Sequence, residues 1–143
     1  MAEPMRVDVV SPEEMLFSGE ADMVVTRTRG GGEIAFQSGH QPFVGSLVEN
    51  HTRIFLTDGK VQDIAVHSGF VEVGGDPTHV SLLCDMAELA EDIDVDRARE
   101  ALEYHQRILR EERVDAKIAD AVAGKARAQV RLRATGNESG FTA

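Results

Sequence analysis

The placement of turn-forming residues constrains this chain more than any motif in it. All four prolines (Pro4, Pro12, Pro42, Pro77) and ten of the thirteen glycines precede Asp85, while four alanines lie before that point and twelve after it. Frequent turn-formers cut a chain into short strands, and an alanine-rich stretch favours helix. The sequence therefore predicts a strand-built unit over residues 1–86, a helical unit over 87–135 and a frayed tail over 136–143.

Within the first unit the apolar residues alternate or form short runs: Met5, Val7 and Val9, then Met15 to Phe17, Met23 to Val25, Glu33 to Phe36, Thr52 to Thr57, Val61 to Val66, Phe70 to Val73 and Val80 to Leu83. Turn signals separate them. Asp58-Gly59, between two apolar runs, reads as a two-residue hairpin turn with positive φ at both positions. About eight to ten short strands with no helical spacers predict an antiparallel sandwich or flattened barrel. The second unit reads as an antiparallel two-helix hairpin, making the whole α+β. Asp92 or Asp94 caps the first helix, whose Ala98, Ala101, Leu102, Ile108 and Leu109 share one face. A break near Glu112-Arg113-Val114 precedes a second helix capped by Asp115. Its apolar face is mostly small residues, and Gly124 in its interior costs about 1 kcal/mol relative to Ala.

A chain of 143 residues forms its core without a metal or disulfide, and the lone Cys84 cannot make an internal bridge. No run of about 20 apolar residues is present, and the N-terminus has neither a signal core nor an Arg-rich transit pattern, so the expectation is a cytosolic-side protein. The formal net charge of −10 excludes a nucleic-acid footprint and direct docking on anionic lipid. If a membrane is involved, a partner supplies it.

Catalytic chemistry is hard to assemble. The five histidines include no pair at metal-ligand spacing. Gly30-Gly31-Gly32-Glu33 lacks the Lys-Ser/Thr and the helix of a phosphate loop, and reads as a hairpin turn. Ser38-Gly39-His40 has no third group to orient a dyad. Cys84 reads as a small hydrophobe in a strand, and the pairs Glu13-Glu14 and Glu111-Glu112 as solvated charges.

Charge is unevenly placed: −8 over residues 1–86, −5 over 87–112 and +3 over 113–143. The last helix is thus the cationic segment of an acidic protein. Arg113, Lys117, Arg127 and Arg131 fall within an arc of about 80° on it, suited to an acidic partner surface. His105 and Lys125 sit in the apolar faces of their helices. In an antiparallel hairpin Arg97 falls level with Gln129, between Arg127 and Arg131, and cations at one level repel unless an anion such as a phosphate-bearing ligand sits among them or solvent screens them.

At this point the chain resembles the epsilon-subunit family of F-type ATP synthases. The resemblance runs from about Met5 to Leu132 and rests on Val9-Val10-Ser11-Pro12-Glu13, Leu16-Phe17-Ser18-Gly19-Glu20, Gly32-Glu33-Ile34-Ala35-Phe36, Gly39-His40-Gln41-Pro42, Ser68-Gly69-Phe70-Val71-Glu72-Val73 and Ile93-Asp94-Val95-Asp96-Arg97-Ala98. Ala35 stands where glycine is usual, and His67-Ser68-Gly69 replaces the commoner Ser-Gly-Gly.

The resemblance implies a β-sandwich followed by a helical hairpin. It also implies a non-catalytic rotor subunit at the cytoplasmic face of a bacterial membrane, attached only through its complex. The sandwich would contact the gamma subunit and the ring of c subunits, with His40 near gamma and Glu33 near the ring. The hairpin would restrain ATP hydrolysis in the alpha/beta head, with Arg113, Lys117, Arg127 and Arg131 facing an acidic segment of beta. Some relatives bind ATP on the hairpin, which implies a site at Glu88, Asp94 and Arg97. Tyr104 replaces a first-helix arginine there, and Lys125 and Gln129 stand in place of two second-helix arginines, so binding is expected to be weak or absent and no cofactor is required. The competing expectation is a free-standing sandwich-plus-hairpin module sensing a nucleotide or other small anion.

Overall fold

The computed structural model describes residues 3–137. Nine strands, β1 (Met5–Val10), β2 (Met15–Thr28), β3 (Gly32–Gln37), β4 (Phe43–Leu47), β5 (Asn50–Leu56), β6 (Val61–Val66), β7 (Gly69–Gly74), β8 (His79–Cys84) and β9 (Ala87–Leu89), precede a 3₁₀ turn at Ala90–Asp92 and two helices, α1 (Val95–Glu111) and α2 (Asp115–Ala134). The strand order is β1-β8-β7-β4-β2-β5-β6-β9, with β3 also on β2 and a further β1–β2 pairing.

The expected sandwich and hairpin are both present. Two apolar runs read separately, Met15 to Phe17 and Met23 to Val25, belong to the single fourteen-residue strand β2. Its first half pairs with β1 and its second with β3 and β5, so one strand serves both layers. The pairings are antiparallel except β1 with β8, which is parallel. Strand β9 pairs with β6 and continues the sheet beyond Asp85.

Alternation places Met5, Val7 and Val9 of β1, Val71 and Val73 of β7, and Val80 and Leu82 of β8 inside, with Phe36, Leu47, Ile54 and Ile64 from the other strands. One end of the interior is polar: Thr26, Thr52 and Asn50 bond to one another at 2.6–3.1 Å, which satisfies the hydroxyls that burial would otherwise penalise.

The β5–β6 hairpin forms, but not with the predicted two-residue turn. The Gly59 amide donates to Leu56 O, and of Asp58 and Gly59 only Gly59 has positive φ (+89°). The connection is a type I turn closed by a glycine in the left-handed region, while Asp58 Oδ1 accepts from the Lys60 amide at 2.9 Å. At the His67-Ser68-Gly69 departure, Ser68 takes φ +131°, and its hydroxyl donates to Asp85 at 2.7 Å.

Helix α1 starts as predicted, with the Asp94 carboxylate accepting from the Arg97 amide at 3.1 Å. Helix α2 does not. Val114 is its N-cap, Asp115 is the first helical residue and no side chain caps the helix; Glu112 instead braces the turn before it, accepting from the Arg113 and Val114 amides at 3.0 and 3.1 Å. Glu112 is therefore a bound group rather than a solvated charge, and those amide donors hold its pKa below the usual glutamate value. At the other end of α2, Gly136 and Asn137 donate to Arg133 O and Leu132 O, closing the helix with a left-handed glycine at φ +76°. The remainder of the expected tail, residues 138–143, lies outside the described residues.

The layers stack sandwich, α2, α1. Val130 and Ala134 of α2 pack with Ala65 of β6 and Ile93. Ala128 and Leu132, on another face of α2, pack with Ala98 and Leu102 of α1.

Candidate functional site

Three features stand out. The first is an apolar row on the outer face of the sandwich. Strand alternation sends Phe70 and Glu72 outward from β7, Leu83 outward from β8 and Val10 outward from β1. The register then makes Phe70, Leu83, Val10 and Met15 direct neighbours across β7, β8, β1 and β2. Phe70 is 55% exposed, Leu83 43% and Met15 58%; on β4 Ser46 stands opposite Phe70, and exposed Val44 (70%) lies opposite Glu72. Farther along the same face the residues are polar: Asp8, Ser18 and His79 are hydrogen-bonded together. A contiguous exposed apolar patch with a polar border marks a contact surface.

The second is a cleft of about 380 Å³ where the hairpin meets the sandwich, lined by Glu88, Asp92, Ile93, Asp94, Arg97, Ala98, Ala101 and Arg131. It brings together Glu88, Asp94 and Arg97, the three residues expected to share a site. The second-helix cation is Arg131, whereas Lys125 and Gln129 do not line it. The hairpin register explains this: Ala98 and Leu102 pack against Ala128 and Leu132, which brings Arg131 level with Arg97. Arg131 Nε bonds Glu88 Oε1 at 2.8 Å, while Asp94 is occupied in capping α1. Arg97 has no ion-pair partner among the described residues.

The third feature was not anticipated. His67, with 2% of its side chain exposed, bridges two carboxylates: Nδ1 to Glu49 Oε2 at 2.7 Å and Nε2 to Glu88 Oε1 at 3.0 Å. Glu88 Oε1 is thus shared between His67 of the sandwich and Arg131 of α2. Burial alone would depress the imidazole pKa, but the hydrogen bonds and charges of Glu49 and Glu88 reverse that, and His67 lies above its ordinary value. Burial would likewise raise Glu88, yet the His67 and Arg131 donors hold it below the usual glutamate range. The sequence carried one signal, since His67 replaces a serine at a family motif.

The other expected contact residues are dispersed. Glu33 on β3 is 57% exposed on its side chain and pairs with Arg53 at 3.0 Å. His40 packs edge-on against Phe36 with ring centroids 4.9 Å apart, and its Nδ1 lies 2.7 Å from Gln41 O. The cationic arc on α2 divides: Arg113 and Lys117 are exposed at the hairpin turn, Lys117 standing 3.9 Å from Glu112, while Arg127 is half-buried and Arg131 is held by Glu88. His105 fills a niche opposite Gly124, where an added Cβ would collide with its ring. The interior glycine of α2 is a fitted seat rather than a flaw.

Fold and surfaces define a docking chain, with an exposed apolar face on a rigid sandwich and a helical hairpin joined to it through an ionic seam. A family model described as "ATP synthase, Delta/Epsilon chain, beta-sandwich domain" matches residues 4–90, and the chain belongs to that family. Its relatives include the ATP synthase epsilon chains of Shouchella clausii (40% identity, covering 85% of this chain and 89% of the relative), Streptomyces griseus (40%, 94% and 97%) and Thermobifida fusca (43%, 90% and 89%). An epsilon-type chain is a subunit of that membrane-associated complex and not its catalytic one. No helix among the described residues is long and apolar enough to cross a membrane. The same fold occurs in a chain of the cryo-EM structure of Euglena gracilis mitochondrial ATP synthase, OSCP/F1/c-ring (TM-score 0.69, 19% identity, 94% of this chain and 78% of that one). A chain of the Tetrahymena thermophila central stalk/c-ring structure is also similar (TM-score 0.61, 15% identity, 94% and 98%).

Proposed function

We propose that the chain is a central-stalk subunit whose sandwich docks on gamma through the apolar row and sits against the c-ring, coupling proton flow to rotary ATP synthesis. The row of exposed Phe70, Leu83 and Met15 with half-buried Val10 among them is the observation that supports this reading, because a free-standing anion sensor has no use for it. His40, held at the end of β3 by Phe36, borders gamma, and Glu33 lies toward the ring. The complex places the chain at the cytoplasmic face of the bacterial membrane. The hairpin presents Arg113 and Lys117 at its exposed turn to an acidic surface of the alpha/beta head and restrains ATP hydrolysis.

The cleft binds ATP weakly at most. Three carboxylates, Glu88, Asp92 and Asp94, face two cations, Arg97 and Arg131, and one of those cations is already committed to Glu88.

The test is reconstitution of the soluble head with the full chain carrying Phe70→Asp or Leu83→Asp. Each substitution alters an exposed side chain, so far-UV circular dichroism and melting stay close to the parent while gamma co-purification falls at least tenfold. Unchanged gamma binding in the Phe70→Asp, Leu83→Asp double variant would remove the docking surface from the proposal. Truncation after Asp92, which keeps β9, should raise hydrolysis without loss of gamma. If hydrolysis is unchanged, the hairpin is not a restraint.

A further inference from the structure

We propose that His67 makes docking of the hairpin on the sandwich proton-linked: its proton and the α2 arginines compete for Glu88 and Glu49, so acid loosens the hold on α2 and docking of α2 weakens the hold on the proton.

Both carboxylates that hold His67 belong to the sandwich, Glu49 in the turn between β4 and β5 and Glu88 on β9. They attract the imidazolium whether or not the hairpin is present. What the hairpin adds is positive charge. Arg131 donates to the same Glu88 oxygen that faces His67 Nε2, and Arg133, two residues on, lines the cleft that contains Glu49, His51 and Arg53. His51 is itself held by Asp63 at 2.6 Å. With α2 seated, Arg131 and the nearby Arg133 offset the charges of Glu49 and Glu88, and His67, bonded to both carboxylates, holds its proton against that added positive charge. The protonated cluster is then one charge positive and sets the imidazolium beside Arg131 on a single shared oxygen. With α2 lifted, the two carboxylates face one another with only His67 between them, and its proton halves their uncompensated negative charge. A neutral imidazole can donate to only one carboxylate and turns a lone pair toward the other.

The same proton has opposite effects on two equilibria. Relative to the unfolded chain, the imidazole pKa is raised, so His67 contributes stability to the sandwich that is complete below the ordinary histidine value and lost as pH rises through the folded value. Relative to the undocked hairpin, the positive charge of Arg131 lowers the proton affinity of His67. Acid therefore strengthens the sandwich and loosens the hairpin, and by reciprocity each cation weakens the other's hold. A purely structural histidine would move both in the same direction. The inference concerns the chain alone and stands independently of gamma binding or nucleotide.

The test uses the isolated full-length chain. The His67 imidazole is titrated by NMR in the parent and in Arg131→Gln, and α2 amide exchange, corrected for intrinsic rate, is followed from about pH 5.5 to 8.5. The expected results are a His67 midpoint higher by at least about half a unit in Arg131→Gln, and opening of α2 that increases about three- to tenfold on acidification through the His67 midpoint. His67→Gln should abolish that pH dependence. If His67→Gln does not fold, the midpoint shift in Arg131→Gln decides the matter, since Arg131 is on α2 outside the sandwich core. A midpoint that is unchanged or lowered in Arg131→Gln, or α2 opening that is flat or decreases with acid, would overturn the proposal.

Discussion

Substituting alanine for the glycine of a helix interior normally stabilises the helix by about 1 kcal/mol. At Gly124 the sign should reverse. A Cβ built there collides with Cε1, Nε2 and Cδ2 of His105 across the helix pair, so the ring must leave its seat. Forcing a methyl into a filled interface costs about 1–3 kcal/mol. Gly124→Ala should therefore destabilise the hairpin by about 1 kcal/mol net. In a His105→Ala background the ring is gone, and the same substitution should stabilise by about 1 kcal/mol, the ordinary propensity gain. The coupling between the two sites is then about 2 kcal/mol, well outside the error of a double-mutant cycle. Urea unfolding followed at 222 nm reads the hairpin directly, because α1 and α2 contain seventeen and twenty residues and account for the α-helix among the described residues. Gly124→Ala having the same sign in both backgrounds would refute the reasoning, whatever its size.

Cys84 is 3% exposed, and burial, aided by the neighbouring Asp85 charge, pushes its thiol up to about 12. The native chain should therefore react with iodoacetamide at pH 8 at least a hundredfold more slowly than the urea-unfolded chain; comparable rates would mean that β8 opens readily. Glu112→Ala removes the acceptor of two amides at the start of α2. The Arg113 and Val114 amides should lose exchange protection while Val130 and Ala134 keep theirs, and uniform loss along α2 would show that the seat, not the interhelical turn, had been disturbed.

Strand alternation gave the sandwich core almost directly, because inward and outward positions differ in polarity on β1, β7 and β8. It fell short where tertiary pairing decides. Nothing local joins Met15 to Thr28 into one strand: the Ser18–Asp22 stretch is polar, and there the pairing passes from neighbouring β1 to β5, far along the chain. Strand β9 is three residues long and exists because β6 offers an open edge. The helix faces were legible from periodicity, yet Asp115, expected to cap α2, is its first helical residue, and Glu112 instead braces the two amides before it. At the cleft, Glu88, Asp94 and Arg97 were placed together from a motif, while Arg131 was read only as one of the cations near the level of Arg97, because interhelical register depends on which small residues interlock. His67 was noticed only as a departure, since its two carboxylates come from residues 49 and 88. The apolar row was within reach: once β7 and β8 are read as strands, Phe70 and Leu83 fall on the face opposite Val71 and Leu82.

The seat of α2 has a mechanical consequence. Val130, Ala134 and Arg131, which contact the sandwich and its ionic seam, all lie in the last turns of the helix, while α1 rides on α2. At 1.5 Å per residue, Asp115 is about 30 Å along the axis from Ala134. The hairpin is therefore a lever pivoted at one end, in which a tilt of 10° at the pivot sweeps the far tip through about 5 Å. Small rearrangements among a few side chains at the pivot are thereby amplified at Arg113 and Lys117, the cations that the tip carries.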